Sequence, residues 1–460
     1  MGQVALDQQS LIPPLFSDHS NYIDYCLELA ASKVIGFDSI FDFEKQTDSI
    51  NAYMNLNTLK RPKNLVFLDD KTLKHGDYLK ALKLIIDGKL FTEHFAAGEA
   101  TRLNLGTKYL INLSKDLTFG KMMEMINQEK GTRISEDFIR NQILCSPSDL
   151  LPLSLGVRHM LQYAYDICLL SKSLGYDPKQ VLLKQRMLIV LNEATADIII
   201  DEFINHRFYG FKQQNIFFMI QKAYHGITLK NKAVYYDLLA PKRLHNHGHI
   251  AIQQTMPNAI FNIKKKNSLN YLSSDEFYSL LKDMDMKISY NIEDLSYLMG
   301  SIDQEGLALA LKKNKEGYHM LMEVLPNNSE APQKGGMAAF DPILNQDIMI
   351  ESFQLNGIEN HQIEFLNKNI NYYPEPHVAW EQVEKYGLEM HITVKDGFLY
   401  FQPIIGDINF LVKTLIFTRK KACSIKAWKS ATTTPLAFNS MYVQDQQKGF
   451  YDYAKDYCDL

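Results

Sequence analysis

Apolar residues recur at helical spacing in several stretches of the chain. Residues 18–60 mix polar and apolar positions and read as helical. Within them, DYCLELAASKVIGF sets Tyr25, Leu27, Leu29 and Ala30 at roughly helical intervals. LKRPKNLVFLDD (59–70) breaks at Pro62 and holds a short apolar run. GDYLKALKLIIDGKL (76–90) predicts an amphipathic helix stopped at Gly88, with Leu79, Leu82, Leu84 and Ile85 near one face. FGKMMEMINQEK, inside 109–150, predicts another, whose methionines read as core rather than as a metal box. GVRHMLQYAYDICLLSKSLGY (156–176) is a strong helix with a glycine stop.

A different pattern follows. MLIVL (187–191) is a short continuous apolar run, as buried strands are. NEATADIIIDEFINHRFYGF opens with a turn and becomes a helix, and NIFFMIQ (215–221) is a second buried strand. Strand, helix, strand predicts a parallel βαβ unit. SYLMGSID (296–303) is a third candidate strand. EMHITVKDGFLYFQPII (389–405) alternates on both sides of Lys395-Asp396-Gly397, which predicts a hairpin. The fold class is α/β, with a mixed, mostly parallel central sheet flanked by helices and a helical N-terminal region. In such sheets ligands bind at the carboxyl ends of the strands.

Composition narrows the functional classes. The chain has 460 residues, enough for two or three domains. Its formal net charge is −4, so no global basic excess points to nucleic acid. The five cysteines are scattered and show no CxxC pairing, which argues against a disulfide framework or a structural zinc site. No apolar run approaches the roughly 18–20 residues of a membrane helix. The N-terminus shows no secretory signal, so a cytoplasmic location is expected, with signal-independent export left open.

The residues with most chemistry lie at Phe95–Lys108, FAAGEATRLNLGTK. Small residues Ala96, Ala97, Gly98 and Ala100 let backbone N–H groups approach phosphate oxygens. Arg102 can bind phosphate through two parallel bonds, and Lys108 adds a point charge. This loop resembles that of the UDP-sugar pyrophosphorylases, which reads GGxGxRLG before a short spacer and G-x-K. Two of the family's glycines are Ala97 and Ala100 in this chain, and another is Asn104.

Further segments match in the family's order. Leu191–Phe211 resembles TSDATHxxTxxFFxxNxYFG. IFFMIQ resembles a strand whose final Gln reads the uracil edge, a role that would fall to Gln221. Leu244–His249, LHNHGH, resembles P-H-G-H-G-D, in which His247 and Gly248 would pack against the nucleoside and His249 replaces an aspartate. A metal site made of these histidines is the less favoured alternative. Ile302–Leu307 resembles Q-D-T-N-G-L. The resemblance makes Asp303 the ligand of Mg²⁺, with Glu305 a weaker partner. Beyond it the match thins. Asn328-Ser329 through Gly336 resembles N-S-x-A-V-P-R-K. Glu351, in IESFQL, and Asn369, in NIN, resemble positions near the sugar. Lys413 resembles a lysine near the sugar phosphate, with Lys420, Lys421 and Lys426 close enough to confuse the match, and KSATT (429–433) resembles H-S-A-T-S-G.

The resemblance implies a uridylyltransferase, making a UDP-sugar and pyrophosphate from UTP and a sugar 1-phosphate. It divides the chain into a helical region 1–89, a nucleotidyltransferase-like α/β domain 90–410 and a completing segment 411–460. Arg102, Lys108 and Lys413 would be catalytic. Ala97, Gly98, Gln221, His247 and Gly248 would bind the nucleotide, and Glu351 and Asn369 the sugar. Two alternatives remain. One is a repurposed, non-catalytic nucleotide-binding member that works with a protein partner. The other is a glycosyltransferase, for which Asp283-Met284-Asp285 is the best D-x-D-like metal motif. The stretch between Lys108 and Gly156 is unusually long, and a lid, a partner surface and core filling are all open for it.

Overall fold

A computed structural model describes residues 15–69, 71–98, 105–265, 268–291, 300–328, 332–419 and 430–460. Twelve strands form one sheet. They are β1 (Val66–Leu68), β2 (Leu90–Phe95), β3 (Arg186–Asn192), β4 (Ile216–Gln221), β5 (Ile260–Lys265), β6 (Ser268–Tyr271), β7 (Met286–Asn291), β8 (Met320–Pro326), β9 (Met337–Asp341), β10 (Gln346–Ile350), β11 (Phe365–Pro374) and β12 (Thr414–Arg419). Their order is β1-β12-β8-β11-β7-β2-β3-β4-β5-β6, with the β9–β10 hairpin attached beside β11. All the path strands run one way except β11 and β5. This is the mixed, mostly parallel sheet that the pattern predicts.

The expected βαβ unit is β3, the helix Ala196–Asn205 and β4, which pair in parallel. Its continuous apolar runs are explained by burial, since Met187 to Leu191 are all fully buried. The 389–405 hairpin also forms, from Ile392–Lys395 and Phe398–Phe401. Its turn residues Asp396 and Gly397 take φ of +53° and +78°, as a two-residue turn between twisted strands requires. The predicted strand at 296–303 needs correction. Residues 296–299 lie outside the described residues, and Gly300–Asp303 is irregular. The strand beside β2 is β7, ten residues earlier in the sequence. It carries Lys287 and Ser289 in its interior, and these polar residues hide it from an apolar pattern.

Helices cover both faces. On one face lie α1 (His75–Ile86), α2 (Leu155–Ser173), α3 (Ala196–Asn205) and α4 (Gln304–Asn314), all in one apolar core with β2 and β3. The other face carries His19–Lys33, Gly248–Gln253 and Pro376–Tyr386. The N-terminal region also supplies β1, and the C-terminal segment supplies its neighbour β12.

The long 109–155 stretch folds as a small helical unit with the last part of the chain. Ile111, Leu117, Met122, Ile126, Ile139 and Leu150 share a separate core with Ala437, Phe438 and Met441 of the helix Thr434–Asp445. An ion pair closes the unit. Arg158 on α2 is bonded to both carboxylate oxygens of Asp445, and also to the Leu151 carbonyl and to Gln444. Both partners are almost fully buried. At the same helix start, Gly156 lies against the Tyr109 ring, and a Cβ there would overlap the ring.

Removing one member of a buried pair leaves the other uncompensated in low dielectric. Asp445→Asn is expected to lower stability by about 3–5 kcal/mol in urea unfolding. The double variant Arg158→Met/Asp445→Leu is expected to lose less, because neither charge is then stranded.

Candidate functional site

The carboxyl ends of β2, β3, β4, β7, β8 and β12 share one edge of the sheet, and β11, running the other way, begins there. The segments marked in the sequence mostly gather along this edge.

After β2 the chain turns through Ala96-Ala97-Gly98. Ala96 N–H bonds the Val190 carbonyl at 2.9 Å, which continues the pairing with β3. Asn192, the last residue of β3, donates Nδ2–H to the Ala97 carbonyl at 2.9 Å, while its Oδ1 accepts from Thr195. Lys108 N–H bonds the Gly98 carbonyl at 3.1 Å and closes the loop. The Lys108 side chain crosses back over Gly98, because a Cβ placed on Gly98 would lie 3.8 Å from Lys108 Cδ and Nζ. A lysine charge is therefore held over a turn of small residues. Arg102, with Ala100 and Asn104, lies outside the described residues.

Gln221 ends β4. Its Nε2–H bonds the Asn246 carbonyl at 2.7 Å and ties this strand end to the LHNHGH loop. The three histidines of that loop part company. His247 accepts the Ile405 N–H on Nδ1 at 3.1 Å. Gly248 N–H bonds the Pro403 carbonyl at 3.0 Å. A Cβ at Gly248 would run into the Pro403-Ile404 backbone, so only glycine permits this approach. His245 and His249 turn inward instead, into an aromatic box with Tyr22 and Tyr224. Tyr22 Oη is 2.8 Å from His245 Nδ1, and Tyr224 Oη is 2.9 Å from His249 Nε2. Burial pushes the His245 pKa down to about 3. His249 is held well below the usual range by burial first, then by His245 and His19. These imidazoles are neutral anchors. Among the described residues no group of His, Cys, Asp and Glu is arranged to hold a metal ion.

Near β11, Glu351 Oε1 accepts from Asn367 Nδ2 at 3.3 Å. Asn369 takes φ +61° and bonds Asn367 Oδ1 through its N–H. Both sugar candidates thus stand at the same edge.

Asp303 caps α4, accepting the Gly306 N–H on Oδ1 at 3.1 Å. Its Oδ2 accepts from both Tyr372 Oη and Arg419 Nη2. Burial alone would raise its pKa, but Arg419, Tyr372 and the Gly306 N–H outweigh burial and hold it below its ordinary value. Three donors of the chain itself occupy most of the roughly four acceptor positions of the carboxylate expected to hold Mg²⁺, and one of them is a guanidinium. As arranged, these residues do not fit a metal ion at Asp303.

Lys413 is not brought to this edge. It precedes β12, whereas the edge is reached at Arg419, roughly 20 Å away at about 3.3 Å per strand residue. Its Nζ bonds the Glu316 carbonyl at 2.7 Å and lies over the Tyr318 ring. The lysines at 420, 421 and 426 follow Arg419 but lie outside the described residues. Ser430 and Thr432 N–H, of the KSATT segment, bond Glu129 of the helical unit. The D-x-D-like motif is also at the far edge. Asp283 pairs with Lys89 and Arg186 at the starts of β2 and β3.

Sequence reasoning did not single out Asn192, Tyr372, Asn367 or Arg419. Asn192 and Arg419 had a signal available, since each is the polar residue that closes an apolar strand, as Gln221 is.

No family model and no curated protein matches the sequence. Solved structures do match it. The UDP-N-acetylglucosamine pyrophosphorylase of Trypanosoma brucei aligns with 90% of this chain and 84% of its own, at 12% identity and a TM-score of 0.56. A variant of the UDP-glucose pyrophosphorylase of Leishmania major aligns with 90% of this chain and 76% of its own, at 13% identity and a TM-score of 0.51. The chain therefore has the fold of the UDP-sugar pyrophosphorylases. Among the described residues no helix is long and apolar enough to cross a membrane.

The two buried imidazoles set a pH dependence. Their folded pKa values lie below the unfolded value near 6.5, so the unfolded chain binds more protons below that pH. Stability is complete above about pH 6.5 and is expected to fall below it by about 1.4 kcal/mol per pH unit for each imidazole. Burial also lowers His94 and raises Glu202 to about 7, so the share of His245 is read as the difference in urea unfolding between wild type and His245→Phe at pH 7.5, 6.0 and 5.0, with the variant expected to lose less stability as pH falls.

Proposed function

We propose that this chain binds a uridine nucleotide along the carboxyl edge of the sheet and transfers a uridylyl group between UTP and a sugar 1-phosphate. One observation carries the reading. The loop after β2, the Gln221–Asn246 junction after β4 and the Glu351–Asn367–Asn369 group beside β11 stand in a row along one edge. The row has the length and order of base, phosphates and sugar. Strands are about 4.8 Å apart, so β4 and β11 each lie about 10 Å from β2.

The chemistry asks little covalent work of the protein. A sugar-phosphate oxygen attacks the α-phosphorus in line, and pyrophosphate leaves from the opposite side. The site supplies position and charge. Backbone N–H groups of the Ala97-Gly98 turn approach the phosphates, and Lys108, crossing over that turn, offsets their charge. Arg102 would add a second cation. Gln221 gives one Nε2–H to Asn246 and keeps a second N–H and its carbonyl oxygen for the base, which suits the N3–H and a carbonyl of uracil. Glu351 and Asn369 would meet the sugar hydroxyls. Lys413 takes no part, and no step is assigned to a metal at Asp303.

The same geometry gives a second reading some weight. With Asp303 engaged and Lys413 at the far edge, the chain has a nucleotide-binding edge with fewer groups to drive turnover. A repurposed nucleotide-binding protein, with a protein partner, is that reading. The glycosyltransferase alternative loses its metal motif to the Lys89 and Arg186 ion pairs.

A pyrophosphate-exchange assay with UTP and a panel of sugar 1-phosphates separates the two. Exchange with at least one sugar is expected. Lys108→Ala should weaken UTP binding by about 10–100-fold, the loss of one charge-assisted phosphate contact. Lys413→Ala should leave it unchanged. UTP binding with no exchange for any sugar would leave the repurposed reading, and no binding of UTP or UDP-sugars would remove the nucleotide reading.

A further inference from the structure

Arg419 ends β12 at the carboxyl edge with its side chain 10% exposed, and three carboxylates converge on it. Asp303 Oδ2 accepts from Nη2. Glu305 Oε2 accepts from Nη1 at 2.8 Å. Glu323, on β8 and fully buried, accepts Nε–H on Oε1 at 2.9 Å and Nη2–H on Oε2 at 3.3 Å. Lys368 Nζ shares Glu323 Oε1 at 3.2 Å, with its own side chain 5% exposed. Tyr372 donates to Asp303 from below.

The cluster has the make-up of a cation site. Three acidic side chains, Asp303 and Glu305 at the start of α4 and Glu323 on β8, meet at a strand end beside the proposed nucleotide row. It already holds its cation. A guanidinium cannot lose its proton, and its planar fork spends Nε, Nη1 and Nη2 on the three carboxylates at once. A divalent ion prefers a shell of oxygens, about six for Mg²⁺, with lone pairs free to face it. At Asp303 those lone pairs face Gly306 N–H, Tyr372 Oη and Arg419. A metal brought there would also stand against a fixed positive charge.

We propose that Arg419 is the resident cation of this edge, in place of a divalent metal, and that the chain takes up its nucleotide without a metal ion at Asp303. The proposal rests on the nucleotide reading for its ligand only, since metal binding can be measured without nucleotide. Arg419 is a positioning residue in this account. It holds Asp303, and through it the start of α4, in the state that a bound metal would otherwise impose.

The test uses the full chain and two titrations. Mn²⁺ is titrated by electron paramagnetic resonance, and UTP by calorimetry with excess Mg²⁺ or with EDTA. Wild type is expected to bind no stoichiometric Mn²⁺ and to change its Kd for UTP by less than about threefold between the two conditions. In Arg419→Met the emptied carboxylates are expected to take up one Mn²⁺, and UTP binding should become sensitive to EDTA. Adding Glu323→Gln to that variant should remove the gained Mn²⁺. A role limited to folding would not produce a gained metal site. Arg419→Gln serves if Arg419→Met does not fold, and the wild-type titrations decide the matter even without a folded variant. Wild type binding one Mn²⁺ that Asp303→Asn removes would overturn the proposal. So would UTP binding seen with Mg²⁺ and lost in EDTA. UTP binding under neither condition overturns the nucleotide reading and the proposal's ligand with it, whereas the Mn²⁺ titration still reports on Arg419 alone.

Discussion

A buried charge sits at the centre of the sheet, and the edge is arranged around it. Glu93 on β2 is fully buried. Its carboxylate accepts from Gln254 and from Ser289 on β7, and lies 3.4 Å from the Lys287 ammonium. Lys287 in turn lies over the Tyr373 ring of β11, 4.8 Å from its centroid. An ionised carboxylate tolerates such burial only with its partners in place. Glu93 is three residues before the Ala96-Ala97-Gly98 turn. Gln254 directly follows the helix that starts at Gly248. The pair therefore fixes, at one point, the strand that leads into the Ala96-Ala97-Gly98 turn and the helix that leads out of the histidine loop. Small shifts at the edge must pass through a node that has two charges to keep satisfied.

The same polar residues explain what the sequence made visible. β3 and β4 are buried on both faces and carry only apolar side chains in their interiors, so pattern alone locates them. β7 carries Lys287 and Ser289, and β11 carries Asn371 beside Tyr372 and Tyr373. Their pairing partners come from across the sheet, and a local window cannot see them. The hairpin at Lys395-Asp396-Gly397 was legible because its turn demands positive φ at residues that tolerate it. The Phe95–Lys108 loop was legible as small residues flanked by cations. Its bond to Asn192, and the folding of Lys108 over Gly98, depend on a neighbour 95 residues away in one case and on tertiary packing in both.

The candidate cations show the limit most clearly. Lys413 precedes one short strand and Arg419 ends it, and a motif match of a few letters slides easily along it. A strand reverses no direction, so six residues of slippage carry a side chain from one edge of the sheet to the other. The topology decides which end meets the proposed nucleotide row. The histidines of LHNHGH divide for a similar reason. The chain leaves its extended course at Asn246, φ +52°, and enters a helix at Gly248, so His245 and His249 meet in the aromatic box while His247, at the bend, stays with Ile405.

The helical unit that follows the Phe95–Lys108 loop has a history built into it. Its Arg158 must wait for Asp445, 287 residues later in the chain. During synthesis the apolar surface of Ile111, Leu117, Met122 and Ile126 emerges long before Phe438 and Met441 exist to cover it. Contacts so distant in sequence form late and leave sticky surface exposed in the interval. Synthesis thus completes the strands of the sheet before the helix Thr434–Asp445 that covers this flank. A nascent chain that has not yet reached Asp445 possesses the strands and lacks the clasp.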